Sequence, residues 1–215
     1  MAATHRSIPR SSAQPAGLNP DFRGIAAGGS SFMPRKAVQA DFVVIRDLIA
    51  AEAKLSGKVI DRDDERIKEW ISNGMSFVAV DENGSIVSHV ALDRWPGCVE
   101  LVSAVTVPRH RGKGIYESMH AAILEAHFAE PCAVPVVSVK NDASNGHRLK
   151  QAAGFKEVGL AEAEATGLRL HKPEAGPWTI YLLTQEAYLL AKGLRREGAG
   201  PNAAQYAGLA RDVAV

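Results

Sequence analysis

One stretch of the chain constrains its fold more than any other. Residues 105–107 are an apolar run, and residues 108–116 form a basic turn with two glycines that leads into an amphipathic helix. Glycines let a tight turn point its N–H groups outward, and the first helical turn adds unbonded N–H groups and the positive end of its dipole. Arg111 and Lys113 add cations. The pattern predicts a strand, a phosphate-binding loop and a helix; the alternative is a plain connection with a solvated basic edge.

Hydrophobic spacing predicts mixed helices and strands along the rest of the chain. Asp41 is the expected N-cap of the first helix, and Glu52 is expected on its polar side. The β-branched run at residues 134–139 predicts a strand that is buried on both faces and has a parallel neighbour. We expect helices at 42–55, 63–72, 115–126, 144–153 and 185–194, and strands at 31–36, 76–80, 86–92, 99–107, 134–139, 155–160 and 178–183.

Length and composition predict one domain with extensions. A chain of 215 residues with 46% hydrophobic residues can bury one good core. Residues 1–30 are rich in Ser, Ala, Gly and Pro and are expected to be a disordered leader, with an organelle transit peptide as the alternative. The domain is expected over residues 31–194. Residues 195–215 are a tail that is either disordered or docks a short helix.

Charge, cysteine content and hydropathy exclude several classes of function. The net charge of +1 gives no electrostatic footprint for nucleic acid. Two cysteines without a C-x-x-C pair or a His/Cys cluster offer no metal-ligand spacing, so no metal is expected. No apolar segment is long enough to cross a bilayer, and a signal-peptide core is missing at the amino terminus. We expect a cytoplasmic protein without nucleic-acid or membrane partners, either a monomer or a homodimer.

Two motifs carry a resemblance to a known family. The sequence Arg111-x-x-Gly114-x-Tyr116 resembles the R/Q-x-x-G-x-G/A motif of the GNAT superfamily of N-acetyltransferases, although Tyr116 departs from the small last residue. Downstream, the segment that begins at Asn141 and reaches Leu149 and Gly154 is similar to the family's fourth-helix segment. The predicted order of elements also matches the GNAT fold.

The resemblance implies an α+β (α/β) fold with a single GNAT-type domain. Its central sheet is expected to be mixed, mostly antiparallel and twisted, with six or seven strands and helices on both faces. It implies acetyl-CoA as the acyl donor. Two central strands are expected to separate, which leaves backbone groups of one strand available to bind part of the cofactor. The implied cofactor-binding residues are Val105, Thr106, Val107, Arg111, Gly112, Lys113, Gly114, Ile115, Tyr116, Asn141 and Ser144.

The resemblance also suggests candidates for proton transfer. Glu100 lies on the strand that leads to the loop, where some family members carry the base that takes the amine proton; the alternative is a glutamate that faces solvent at the start of a strand. Lys150 stands where the family usually has an acidic tyrosine. A lysine of ordinary pKa is a slow acid, so the residue type favours a solvated helix lysine. Tyr116 and His147 are substitutes for this role.

These features predict an acetyl-CoA-dependent N-acetyltransferase that acts on the primary amine of a small molecule, with an amino acid as one candidate, by direct attack in a ternary complex. The resemblance places the acceptor beside residues 55–70 and 161–177, which carry charges of both signs. This mixed charge does not distinguish among amino acids, polyamines, aminoglycosides and protein amino termini as acceptors. The alternative is a non-catalytic GNAT-fold module that binds an acyl-CoA or a protein partner. A nucleotide-binding enzyme of another fold would need a longer glycine loop or a Lys-Ser/Thr ending, and the sequence has neither.

Overall fold

The computed structural model describes residues 32–57, 59–140, 147–168 and 179–193. The expected leader and tail lie outside these residues, as do Asn141 and Ser144. The strands are β1 Met33–Lys36, β2 Ser76–Val80, β3 Ile86–Arg94, β4 Val99–Thr106, β5 Val136–Lys140, β6 Lys156–Val158 and β7 Thr179–Leu183. The helices are α1 Phe42–Ser56, α2 Asp64–Ser72, α3 Ile115–Phe128, α4 His147–Ala152, α5 Leu160–Glu164 and α6 Gln185–Ala191.

The seven strands join in one sheet in the order β1-β2-β3-β4-β5-β7-β6. Every neighbouring pair is antiparallel except β4 and β5, which run parallel. β5 is buried at Val136 and Val137 and lies between two strands, as its β-branched residues predict. The expected mixed, mostly antiparallel sheet is therefore confirmed.

Helices cover both faces of the sheet. On one face, Ile115, Met119 and Ile123 of α3 pack with Phe77 and Leu92 in the largest apolar cluster. This spacing of four residues is the helical stripe that the sequence shows. On the other face, α1 and α2 cover β2, β3 and β4 through a second cluster: Ile45, Ile49, Ile67, Trp70, Ile71, Val78, Ala91 and Val102. On that face, the half of the sheet that contains β5 and β7 is covered by Ala163 of α5 and by Leu168.

Two local expectations are wrong, and one helix was not expected. The Asp41 side chain makes no cap bond to α1, because it accepts from Val38 N at 2.8 Å and pairs with Arg35 at 2.6 Å, which closes a 3-10 turn before the helix. Glu52 does not lie on a solvated side of α1, since its side chain is only 12% exposed. The sequence also missed α5, a helix of five residues that is too short to show a helical period.

No helix in the part of the chain that the structure describes combines the length and the apolar content needed to span a membrane.

Candidate functional site

The sheet is split between β4 and β5. The two strands pair only through Val99 with Val136 and Glu100 with Val137, so β4 continues to Thr106 without this neighbour. Val107 N donates to Val87 O of β3 at 2.9 Å. Backbone polar groups of successive strand residues point to opposite sides, so Ala104 and Thr106 turn theirs toward the opening. The family resemblance implies Val105, Thr106 and Val107 for this role, but Val107 N and Val105 O bond residues of β3. Ala104 was not among the residues that it implies.

A bulge in β4 lies beside this opening. The register between β3 and β4 shifts between His89 and Ala91, and Ser103 takes a left-handed φ of 50°. The Ser103 carbonyl can only accept, so His89 Nδ1–H donates to it at 3.1 Å, and Ser76 Oγ donates to His89 Nε2 at 2.9 Å. Burial lowers the pKa of His89 to about 4, which keeps the ring neutral. His89 therefore fixes the bulge from the face that α1 and α2 cover.

The basic turn follows the open end of β4. Gly112 and Gly114 have φ values of 73° and 75°, and no atom lies within 4 Å of the place where a Cβ would stand on either residue. Only glycine adopts this conformation without strain, so the turn needs both residues. α3 begins directly after Gly114, and its first N–H groups have no helical acceptor. The loop is thus an open cradle of backbone donors at a helix N-terminus, as predicted.

The side chain of Arg111 connects this loop to two neighbouring elements. Its Nε donates to Thr106 O at 3.0 Å, and its terminal amino group pairs with Glu52 of α1 at 2.5 Å. The sequence had assigned Arg111 to the cofactor, yet here the side chain ties the loop to β4 and α1. Lys113 is exposed and forms no ion pair among the described residues. Lys113 is therefore a cation of the loop that is open to an anionic ligand, as is the exposed Arg109.

Tyr116, in the first turn of α3, lies against His120 and Lys140. The Tyr116 ring lies 4.3 Å from that of His120, and Lys140 Nζ lies 5.5 Å from the Tyr116 ring centroid. Burial and the charge of nearby Glu117 raise the pKa of Tyr116 to about 12. The ring is therefore a neutral, fixed wall beside the loop.

Lys150 is not solvated, so that expectation is wrong. The side chain is fully buried, its Nζ lies 4.5 Å from the Phe155 ring centroid, and the atom has no hydrogen-bond partner among the described residues. Burial, and then the charge of Lys140, lower the pKa of Lys150 well below its usual range. His120 Nε2 also lacks a partner among these residues, and burial followed by the charges of Lys150 and Lys140 lowers the pKa of His120. Two nitrogen groups with lowered pKa values thus lie buried, one on α3 and one on α4.

Glu100 lies at the closed end of the opening. It is 6% exposed, so it does not face solvent as one alternative held. Its cross-strand neighbour is Asp93, which accepts from Trp70 Nε1 at 3.0 Å and pairs with Arg66 at 3.1 Å. Because neighbouring residues across a sheet share a face, Glu100 belongs to the face that α2 covers.

The sequence matches the acetyltransferase (GNAT) family over residues 45–155, which is more than half of its 215 residues. This chain belongs to the GNAT family of acetyltransferases. No curated protein has a sequence that matches it.

Solved structures show the same fold. A GNAT superfamily phosphinothricin acetyltransferase from Sinorhizobium meliloti, solved with AcCoA, has a TM-score of 0.56 and 22% identity, over 71% of this chain and 87% of that one. A GNAT-family acetyltransferase from Staphylococcus aureus Mu50 has a TM-score of 0.55 and 16% identity, over 71% and 98%. N-acetylglutamate synthase from Neisseria gonorrhoeae, complexed with coenzyme A and N-acetyl-glutamate, has a TM-score of 0.54 and 16% identity, and this chain spans 34% of its length.

In this GNAT domain the residues from 107 to 116 follow the open end of β4 and lead into α3. His120 contacts Tyr116 and lies near Lys150, whereas Glu100 lies where β4 still pairs with β5. Sequence reasoning missed Glu52, His89, Ala104 and His120. The two-residue period of β4 could have indicated Ala104. Nothing in the sequence pairs Glu52 with Arg111, because they are 59 positions apart.

Proposed function

We propose that this protein transfers the acetyl group of acetyl-CoA to the primary amine of a small molecule by direct attack in a ternary complex. The observation that carries the proposal is the opening between β4 and β5, which ends at the glycine cradle. The cradle fits a diphosphate, since two glycines with open space and a helix N-terminus present N–H groups beside Lys113. In the opening, the backbone of Ala104 and the N–H of Thr106 can bond an extended amide chain as a strand would, while Thr106 O accepts from Arg111.

Acetyl-CoA, when bound, supplies an activated thioester carbonyl. Glu100 acts as the base that takes a proton from the attacking amine, directly or through water. Its place fits this role, because it lies at the end of the opening on the face beneath α2 rather than in bulk solvent. General-base assistance of this kind contributes about 10²–10⁴-fold to a rate.

Lys150 is our candidate for the proton donor to the departing thiolate. An ordinary lysine, with a pKa of about 10.4, gives up its proton slowly near neutral pH. Burial and Lys140 lower the pKa of Lys150, which brings it toward the range where a general acid works best. The neighbouring His120 does not compete for this proton, because burial and the charges of Lys150 and Lys140 lower its pKa.

The first experiment is calorimetric titration with acetyl-CoA, followed by free-thiol release in a screen of amines. We expect acetyl-CoA to bind and at least one amine to release thiol. Failure to bind acetyl-CoA would remove the basis of the proposal. Binding without thiol release across the screen would instead support the non-catalytic module, for which Tyr116 in the loop is the motivating feature.

The matched variants are Gly114→Val and Gly84→Val. Both glycines have a positive φ and open space around the missing Cβ, so both substitutions impose similar backbone strain. Gly84 lies in the turn between β2 and β3, away from the opening. We expect only Gly114→Val to abolish acetyl-CoA binding. Equal affinity in the two variants would show that the loop is only a structural connection.

A further inference from the structure

The face that carries Glu100 also presents an arginine with no assigned role. Arg62 lies just before α2, and its guanidinium carbon is 6.0 Å from the centroid of the Trp70 ring. Trp70 is fixed in turn by its Nε1 bond to Asp93, the cross-strand neighbour of Glu100. One run of contacts therefore connects Arg62, through the indole, to the closed end of the opening.

The two arginines of this region differ in how their charge is used. Arg66 pairs with Glu69 at 2.8 Å and with Asp93 at 3.1 Å, so two carboxylates already balance it. Arg62 forms no ion pair in the part of the chain that the structure describes. Its Nε is buried and has no hydrogen-bond partner among the described residues, so the donors that can reach a ligand are its two terminal amino groups. Asp93 is likewise already neutralised, by Arg66.

A guanidinium held on an aromatic ring is a prepared binding group for a planar anion. The cation–π contact with the indole restricts the side chain before the ligand arrives, so less rotamer freedom is lost on binding. The planar fork matches a carboxylate with two parallel hydrogen bonds. A polyamine or an aminoglycoside brings only cations to this place, and Arg62 repels them.

We infer that the acceptor is an amine that also carries a carboxylate, as an amino acid does, and that Arg62 binds that carboxylate while Glu100 serves the amine. This inference rests on the proposed function and names its acceptor class. Arg62 is then a specificity-determining residue that acts on acceptor binding. Arg66 has a positioning role, because it holds Asp93 and hence the Trp70 ring beneath Arg62.

The test uses free L-amino acids, each with its carboxamide and its decarboxylated amine, in the thiol-release assay. In the wild-type protein we expect kcat/KM for the best free acid to exceed that of its two partners by at least about tenfold, the size of one lost charge-assisted bond. Arg62→Gln should lower kcat/KM for the acid by about 10- to 100-fold, mainly through KM. The variant should leave the amide and the amine unchanged. Arg62→Lys should fall between, since it keeps the charge without the fork.

Arg46→Gln is the matched control, because Arg46 is a helix arginine that pairs with Asp47 on the surface of α1. It should behave as wild type with all three kinds of acceptor. Equal use of acid and amide by the wild-type protein would overturn the inference while leaving acetyl transfer intact. So would an equal loss for acid and amide in Arg62→Gln.

Binding provides a readout that does not need turnover. Titration of the CoA-saturated protein with the same free amino acids should show an acid that binds the wild type and Arg46→Gln but not Arg62→Gln. If no acid binds the wild-type protein, the inference fails even where acetyl-CoA itself binds. If acetyl-CoA does not bind, the proposed function has failed instead.

Discussion

His89 should make the fold sensitive to acid, and the size of the effect can be worked out. The ring is fully buried, and burial lowers its pKa to about 4 in the folded protein. In the unfolded chain a histidine titrates near its ordinary pKa of about 6.5. Between these values the unfolded state binds a proton that the folded state does not. Stability is therefore fully present above about pH 6.5 and is lost as the pH falls through about 4.

The loss is large relative to the total stability of a domain. The two pKa values differ by about 2.5 units, and one unit of difference corresponds to about 1.36 kcal/mol. His89 alone therefore accounts for about 3 kcal/mol. A domain is typically stable by about 5–15 kcal/mol. Protonation at Nε2 removes the acceptor of the Ser76 hydroxyl, whereas the Nδ1–H bond to the Ser103 carbonyl persists.

Urea unfolding at a series of pH values from about 7 to about 4 measures this effect in the wild type and in His89→Gln. Glutamine keeps a donor for Ser103 but does not titrate. We expect the free energy of unfolding of the variant to fall by about 3 kcal/mol less over this range. His120, whose pKa burial also lowers, contributes in both proteins and cancels in the comparison. Parallel curves, in this variant and in His89→Asn, would refute the reasoning.

Three further substitutions test other parts of the site. Glu100→Gln should keep acetyl-CoA affinity while lowering kcat by about 10²–10⁴-fold; an unaltered pH dependence of kcat/KM would show that Glu100 is not the base. Lys150→Met should raise the free energy of unfolding at neutral pH by about 1–3 kcal/mol, because it removes a buried amine without a partner, and should slow turnover. That gain should shrink as the pH rises toward about 10.4, because the unfolded lysine then loses the proton that the folded lysine binds less tightly. An unchanged urea midpoint in the variant would contradict the expected gain. Glu52→Gln should strengthen acetyl-CoA binding by about two- to fivefold in low-salt calorimetry, because it frees Arg111 from a competing carboxylate. Weaker binding would instead mean that the Glu52–Arg111 pair holds the loop in its binding form.

Most helices and strands could be predicted from the sequence, because each is indicated by residues that are close together in the chain. The apolar stripe of α3, the Asn-Gly turn before β3 and the β-branched run of β5 each depend on residues that are close in the chain. α5 was not accessible, since five residues cannot show a helical period. Asp41 has the residue type of an N-cap, but a longer-range partner, Arg35, takes its carboxylate. Tertiary contacts thus overrode a local preference there.

The site was accessible only where a motif or a strand period marks it. The glycines at 112 and 114 were found because a left-handed turn needs them. The burial of Lys150 was missed, because residue type alone makes a helix lysine a surface residue. The His89 bond to Ser103 depends on a register shift between β3 and β4, which no local pattern encodes. Arg62 gained significance only when the structure placed it on Trp70.

The separation of β4 and β5 has a consequence for the stability of the sheet. The sheet consists of two leaves, β1 to β4 and β5 to β7, and a seam of two residue pairs joins them. A ligand that bonds both strands acts as a substitute strand and closes an internal edge of the sheet. At a free ligand concentration of about 100 times Kd, binding would add about 2.7 kcal/mol to stability. Amide exchange along both leaves should then slow together, and the amount of folded protein would follow the supply of its cofactor.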